Sequence, residues 1–492
     1  MKISLMIAFA IYLLSFANLP LQAWQGSLEE PVLRPNFVFA IADDWGWPHA
    51  SAYGDKALKT PAFDAVAARG ALFQHAFVSS PSCTPSRGAI ISGQHFWRLG
   101  EAANLWSVWP DKTIPEYPHL LEQAGYFIGH YRKAWGPGKF TQQPAGPRFK
   151  NPEAFFAARP SGQPFCFWFG AFDPHRGYQA GSGKDSGIPL NQVHLFGHFP
   201  DTLTVRNDVA DYYFEVERFD QQLGKLLERL TAMNEIDNTI VVVTGDHGMP
   251  FPRCKTNLYD SGTRVPLAIQ GPGIPGGRTI EDFVSLTDIA PTFLSAAGIP
   301  VPQEMTGKSL LPLLRSHQSG QIDKDRNHVI FGRERHTVSQ EKGNRGGYPM
   351  RGLRNDKYLY IRNYYPERWP SGTPDPDTAE FRRAWLSDCD NGPTKTNIWD
   401  MRETPAGRKI YDLSFGKRPA QELYDLAKDP EQLVNVAGQA EYSDRLRKLD
   451  AQLRQELADS QDPRVANEAS KMDQAGKYLG GGGGQWKDKK MP

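Results

Sequence analysis

The sequence predicts an α/β protein: a large mixed, mostly parallel sheet covered by helices on both faces, with a smaller α+β subdomain towards the C-terminus. Three observations point there. Short, almost wholly apolar runs end abruptly on acidic or histidine-bearing turns, as buried parallel strands do at their carboxyl edges. Amphipathic stretches separate these runs, and strand alternating with helix means a sheet covered on both faces. From about Tyr348 the texture changes to short strand-like pieces among polar, proline-rich loops.

At the N-terminus, Met1-Lys2 and the apolar Ile3 to Ala17 run, ending in Leu21-Gln22-Ala23, have the form of a signal peptide over residues 1–23 that is cleaved near Ala23. This implies export, to a periplasmic, secreted or lysosome-like compartment. Pro35 to Ala42 is a buried strand that delivers Asp43-Asp44. Phe165 to Phe172 runs into Asp173-Pro174-His175, and Thr239 to Thr244 into Gly245-Asp246-His247-Gly248. Pro61 to Arg69, Tyr117 to Ala124 and Asp211 to Leu230 read as the intervening helices. A catalytic domain over 24–345 is expected, its boundary falling within 322–345. A subdomain over 346–460 comes next, with the strand-like Tyr358-Leu359-Tyr360-Ile361 and a helix-like Tyr442 to Leu457. Residues 461–492, with Gly480 to Gly484 and a lysine-rich end, are expected to be a flexible tail.

Composition narrows the function. With 492 residues the chain can bury a large core, and 40% hydrophobic with 23% charged residues fits neither wholesale disorder nor a multi-span membrane protein. A net charge of +1 offers no global basic field, which argues against a nucleic-acid partner. Past the signal segment no stretch has the ~20 apolar residues of a membrane span. Cys83, Cys166, Cys254 and Cys389 are too scattered for a disulfide framework or a paired-cysteine metal site. Cys166, inside Phe165-Cys166-Phe167-Trp168-Phe169, reads as a buried inert thiol.

Cys83 stands apart. The run Cys83-Thr84-Pro85-Ser86-Arg87 resembles the C-x-P-S-R signature of the formylglycine-dependent sulfatases, members of the alkaline-phosphatase-like superfamily. The resemblance implies that Cys83 is oxidised by a maturation enzyme to formylglycine, whose hydrate has one hydroxyl to attack sulfur and another to expel sulfate. The carboxylates of Asp43, Asp44 and Asp246, with His247, gather at one sheet edge as a mainly oxygen site for a hard cation, expected to be one calcium ion. Arg87, one helical turn after Cys83, is implied to hold the hydrated aldehyde, and Lys133 and Lys255 to bind sulfate. His175 takes the place of the acid that protonates the leaving oxygen. One departure is plain: the family places a histidine two residues after the lysine, and Trp135 stands there. His130 and a group from another loop are the candidate replacements.

Pro250 to Tyr259 and Tyr348-Pro349-Met350-Arg351 are similar to the glucosamine N-sulfohydrolase branch. Arg176, Arg335, His336 and Arg351 are therefore expected to touch substrate, with an ion-pair network as the other reading of Arg335, His336 and Arg351. The expected activity is removal of sulfate from a sulfated saccharide, N-sulfoglucosamine sulfohydrolysis being one form of it. Two competing readings are a phosphatase or phosphodiesterase of the same fold and a non-catalytic glycan-binding protein. An exo-acting pocket is also expected, with Phe96, Trp97, Trp106 and Trp109 as candidate sugar platforms.

Overall fold

The computed structural model describes residues 34–110, 113–380, 384–466, 472–473 and 478–480. All belong to the unit Arg34–Pro492. The segment expected to be a signal peptide and the lysine-rich end lie outside the described residues.

The strands, in chain order, are β1 (Asn36–Ala42), β2 (Ala71–Phe77), β3 (Ser107–Val108), β4 (Phe127–Tyr131), β5 (Gly138–Lys139), β6 (Arg148–Phe149) and β7 (Phe165–Gly170). Then come β8 (Thr239–Gly245), β9 (Leu267–Gln270), β10 (Arg278–Ser285), β11 (His328–Arg333), β12 (Met350–Asn355), β13 (Tyr358–Asn363) and β14 (Gln421–Asp425). Eight of them form one sheet in the order β10-β2-β9-β8-β1-β7-β4-β6. Every pairing in it is parallel except those of β9, which runs antiparallel to both β2 and β8. This is the mixed, mostly parallel sheet expected.

β1 and β8 are buried at every position, so their apolar runs need no alternation. Two large apolar clusters cover the sheet. One centres on Phe37, Phe39 and Ile41, the other on Val38, Ala40 and the Leu203–Ala232 helix, so alternate β1 residues face opposite layers. The second sheet, β11-β12-β13-β14, is antiparallel throughout and starts at His328, ahead of the texture change at about Tyr348. The Ser443–Asp459 helix packs against its β13.

Two expectations need correction. Asp462 and Arg464, assigned to a flexible tail, are buried and held by ion pairs to Arg351 and Glu334. Phe96, Trp97 and Trp109, offered as sugar platforms, are buried in the core at no more than 1% exposure, because the first residues after the Cys83–Ser92 helix pack beneath it. Trp106 is half-buried and does line the main cavity.

Candidate active site

Parallel strands ending at one sheet edge assemble the site. β1 ends at Ala42 and hands over to Asp43-Asp44, and the neighbouring β8 ends at Gly245 before Asp246-His247. On the other side of β1, β7 leads towards His175, and β4 leads into Lys133. The Lys133 loop lies directly on β7. A Cβ added at Gly170 would fall 1.7 Å from the Lys133 carbonyl oxygen, so only glycine lets that loop close. Asp44 (φ 74°), Arg132 (φ 54°) and Thr256 (φ 69°) all hold left-handed backbone beside the site. Such conformations are unfavourable for side chains with a Cβ, and their clustering around the functional side chains marks where strain is spent.

Cys83 is the first residue of a helix running to Ser92, and it is 3% exposed. Its Sγ lies 3.2 Å from His247 Nε2 and 3.7 Å from Asp43 Oδ1. Burial pushes the thiol up, further than Lys133 and Lys255 draw it down, so it stays protonated. Arg87, fully buried on the same helix, donates through Nε to Asp246 Oδ2 at 2.8 Å and through Nη1 to the carbonyls of Lys133 and Ala134. Burial raises the Asp246 carboxyl, but His247, Arg87 and Lys133 outweigh it and hold the group below the usual carboxylate range.

The lysines divide the acids between them. Lys133 Nζ donates to Asp43 at 2.5 and 2.7 Å, and Lys255 Nζ donates to Asp44 Oδ2 at 2.9 Å. The Asp44 backbone N–H donates to Asp246 Oδ1 at 2.8 Å. Asp44 Oδ1 is buried without a hydrogen-bond partner, 3.3 Å from His247 Nε2. Ligand atoms of Asp43, Asp44, Cys83 and His247 all lie within 4.8 Å of one another. A buried, unsatisfied carboxylate oxygen beside a second carboxylate is an environment a hard cation can complete. Asp246 borders the set, its Oδ1 3.6 Å from His247 Nε2.

A cavity of about 900 Å³ opens over these residues, lined by Asp43, Cys83, Lys133, His175, Lys255 and His336 among others. The His175 side chain is 36% exposed, with Nδ1 2.6 Å from the Arg176 carbonyl oxygen and Nε2 4.0 Å from Asp44 Oδ2. His336 places Nδ1 2.8 Å from Ser82 Oγ, and burial holds its imidazole well below the ordinary range. His130 also reaches the cavity, but its Nδ1 is engaged with the Gly146 carbonyl. Trp135 does not replace an acid or base. Its indole packs on the Cys83–Ser92 helix so closely that a Cβ on Gly88 would meet Nε1 at 3.2 Å.

Two expected substrate contacts stand away from the cavity wall, and a third on its border is engaged by an acid. Arg351 is fully buried between Asp462 and Glu334, stacked over Phe96 and Trp97, and is absent from the cavity wall. Arg335 is buried, with its guanidinium 5.7 Å from the Tyr478 ring, and it is Tyr478 that lines the cavity. Arg176 borders the cavity, yet its Nη atoms donate to both oxygens of Asp208 and its Nε to the Pro250 carbonyl. It serves as a clamp against Gly392, where a Cβ would come 2.4 Å from the guanidinium.

The sequence reading missed Asp390. Its Oδ2 accepts from Lys255 Nζ at 2.9 Å, and its carboxylate, Asp44 and His175 have ligand atoms within 4.8 Å of one another. Burial pushes this carboxyl up, but Lys255 and His175 outweigh it and keep it ionised. The preceding loop is tied down by Arg333, which donates to Asp388 and to the Thr256 carbonyl, and by the Thr337 N–H on Asp388 Oδ1 at 2.8 Å.

The family model described as Sulfatase matches residues 35–145 and 149–299, more than half of the chain. The chain belongs to the sulfatase family, and it is a sulfatase. The model described as N-sulphoglucosamine sulphohydrolase, C-terminal, matches residues 245–371 of this sulfatase. The human N-sulphoglucosamine sulphohydrolase is 29% identical, covering 88% of this chain and 92% of the relative. An ulvan-active sulfatase from Formosa agariphila is 28% identical, covering 85% and 78%. A solved structure of a protein in complex with its substrate D-glucosamine-2-N,6-O-disulfate superposes with a TM-score of 0.59 at 19% identity, covering 87% of this chain and 98% of that one. The fold is shared at that distance.

Proposed function

We propose that this sulfatase is an exported enzyme that removes sulfate from a sulfated carbohydrate, with Cys83 converted to formylglycine by a maturation enzyme and one calcium ion bound beside it. The observation that carries the reading is where Cys83 stands. At a buried helix start its Sγ lies 3.2 Å from His247 Nε2 and 3.7 Å from Asp43 Oδ1, and it shares the cavity wall with Lys133 and Lys255. Formylglycine would supply an oxygen nucleophile there, and calcium a Lewis acid for the sulfate oxygens.

The chain's own residues then have separable tasks. Asp43, Asp44, Asp246 and His247 would hold the ion, the first two also orienting Lys133 and Lys255. Arg87, one turn along the same helix, balances Asp246 and would hold the hydrated aldehyde at position 83. Lys133 and Lys255 are fixed positive donors for the charge that sulfate cleavage gathers on peripheral and leaving oxygens. His175, with Nε2 close to Asp44 and its ring partly open to the cavity, would give a proton to the leaving atom.

Two similarities favour an aminosugar substrate: the relatedness to the human sulphohydrolase and the match of the C-terminal model. N-sulfoglucosamine is the form they name. Exo-action on a terminal residue is the expected mode, with Trp106 and Tyr478 in the cavity wall as aromatic faces for a sugar ring. A phosphatase reading is disfavoured by cysteine at position 83, and a non-catalytic reading by the complete cation set. Export rests on the Met1 to Ala23 segment of the sequence. A screen of defined sulfated saccharides, using protein co-produced with a maturation enzyme, tests the proposal. Sulfate release from none of them would refute it.

Two further outcomes are expected. Asp43→Ala combined with Asp246→Ala removes the stoichiometric metal, measured by elemental analysis; a full equivalent retained would reject the ligand assignment. His175→Ala lowers turnover of an unactivated sugar sulfate by about 10²-fold or more, but that of an aryl sulfate far less, because a phenolate leaves without much protonation. Equal losses on both substrates would reject the acid role.

A further inference from the structure

Asp390 is out of place in a pocket built for an anion. Sulfate needs the positive charge of Lys133, Lys255 and Arg87, and a carboxylate on Lys255 offsets part of it. Lys255 is shared between two acids, each at 2.9 Å: Asp44, fully buried beneath it, and Asp390, whose side chain is 26% exposed and lines the cavity. Asp390 therefore stands on the cavity side of Lys255, next to His175, where the leaving part of the substrate must lie if these two residues serve the leaving atom. Only Oδ2 of Asp390 takes a hydrogen bond from a described side chain, although an ionised carboxylate accepts about four.

We infer that Asp390 is a specificity-determining residue that accepts a hydrogen bond from the sugar beside the sulfated atom, so that substrates must present an N–H or hydroxyl donor there. This rests on the proposed sulfatase action on carbohydrate and names the recognition chemistry of that same site. A substrate with such a donor satisfies the free oxygen and compensates the carboxylate. A substrate without one leaves a desolvated anion facing the sulfate, so the two are separated by discrimination as well as by binding. The tether of Arg333 to Asp388 and to the Thr256 carbonyl gives the carboxylate a fixed position, which recognition by a single acceptor requires.

The test is Asp390→Asn in the full-length, matured enzyme, which keeps an acceptor for Lys255 but removes the charge. Probes are glucosamine N-sulfate, glucosamine 6-sulfate and 4-nitrophenyl sulfate, the last having no donor beside its leaving oxygen. The expected result is a fall in kcat/KM on at least one sugar sulfate about 10-fold or more beyond any change on the aryl ester. Inorganic sulfate should inhibit the variant more strongly than the parent, since a like charge has gone. An equal change on all three substrates would assign Asp390 to positioning Lys255 and overturn the inference. So would a parent enzyme active on the aryl sulfate but on neither sugar. A matured parent inactive on all three would instead remove the underlying reading of function, and this inference with it.

Discussion

Replacing Cys83 by alanine is expected to abolish sulfate release, by at least ~10³-fold, the scale on which members of a catalytic unit act. The side chain is small and buried at the start of a helix, so alanine fills most of its volume and the fold should persist. Serine at the same place should be almost as inactive on multiple turnover, because a single hydroxyl can attack sulfur but has no second oxygen with which to release it. Peptide mass spectrometry of the active parent should find the aldehyde or its hydrate at position 83. Fully active protein with an intact thiol would sink the reading.

The features legible in the sequence and those hidden from it divide along physical lines. β1 and β8 were readable because a strand buried on both faces must be a continuous apolar run, and the residues directly after such a run are placed at the sheet edge. Asp43, Asp44 and His247 come together for that reason, with Asp246 at their border. The Pro61–Arg69 helix was readable from its proline start and apolar spacing. The partners of individual charged side chains were not. Arg351 meets Asp462 across 111 positions and Arg176 meets Asp208 across 32, and no local pattern encodes either partner. An arginine near a motif looks the same in sequence whether it faces a ligand or a buried acid. Asp390 sits in Asp388-Cys389-Asp390-Asn391-Gly392, which reads as an ordinary polar turn. Its role depends on Arg333 drawing that turn against the Lys255 loop.

Replacing Arg351 by methionine is expected to cost stability rather than recognition. The guanidinium is fully buried, with Nε 2.5 Å from Asp462 Oδ2 and Nη2 2.7 Å from Glu334 Oε1. Arg464 meets Glu334 from another direction and also Asp473, so two arginines and three acids form a cluster joining β12 to the segment after the Ser443–Asp459 helix. Removing Arg351 leaves Asp462 buried without its charge partner, a change worth about 3–5 kcal/mol. Lysine should recover only part of this, since it cannot bridge two carboxylates with a planar fork. The double variant Arg351→Met with Asp462→Leu should be more stable than Arg351→Met alone, because it removes the stranded charge along with its partner. Denaturant midpoints measure these differences, and kcat/KM of the folded fraction should stay near the parent value throughout. A variant with an unchanged midpoint and a raised KM would return Arg351 to the substrate. The burial of its guanidinium between two acids, away from the cavity wall, is the physical reason to expect the opposite.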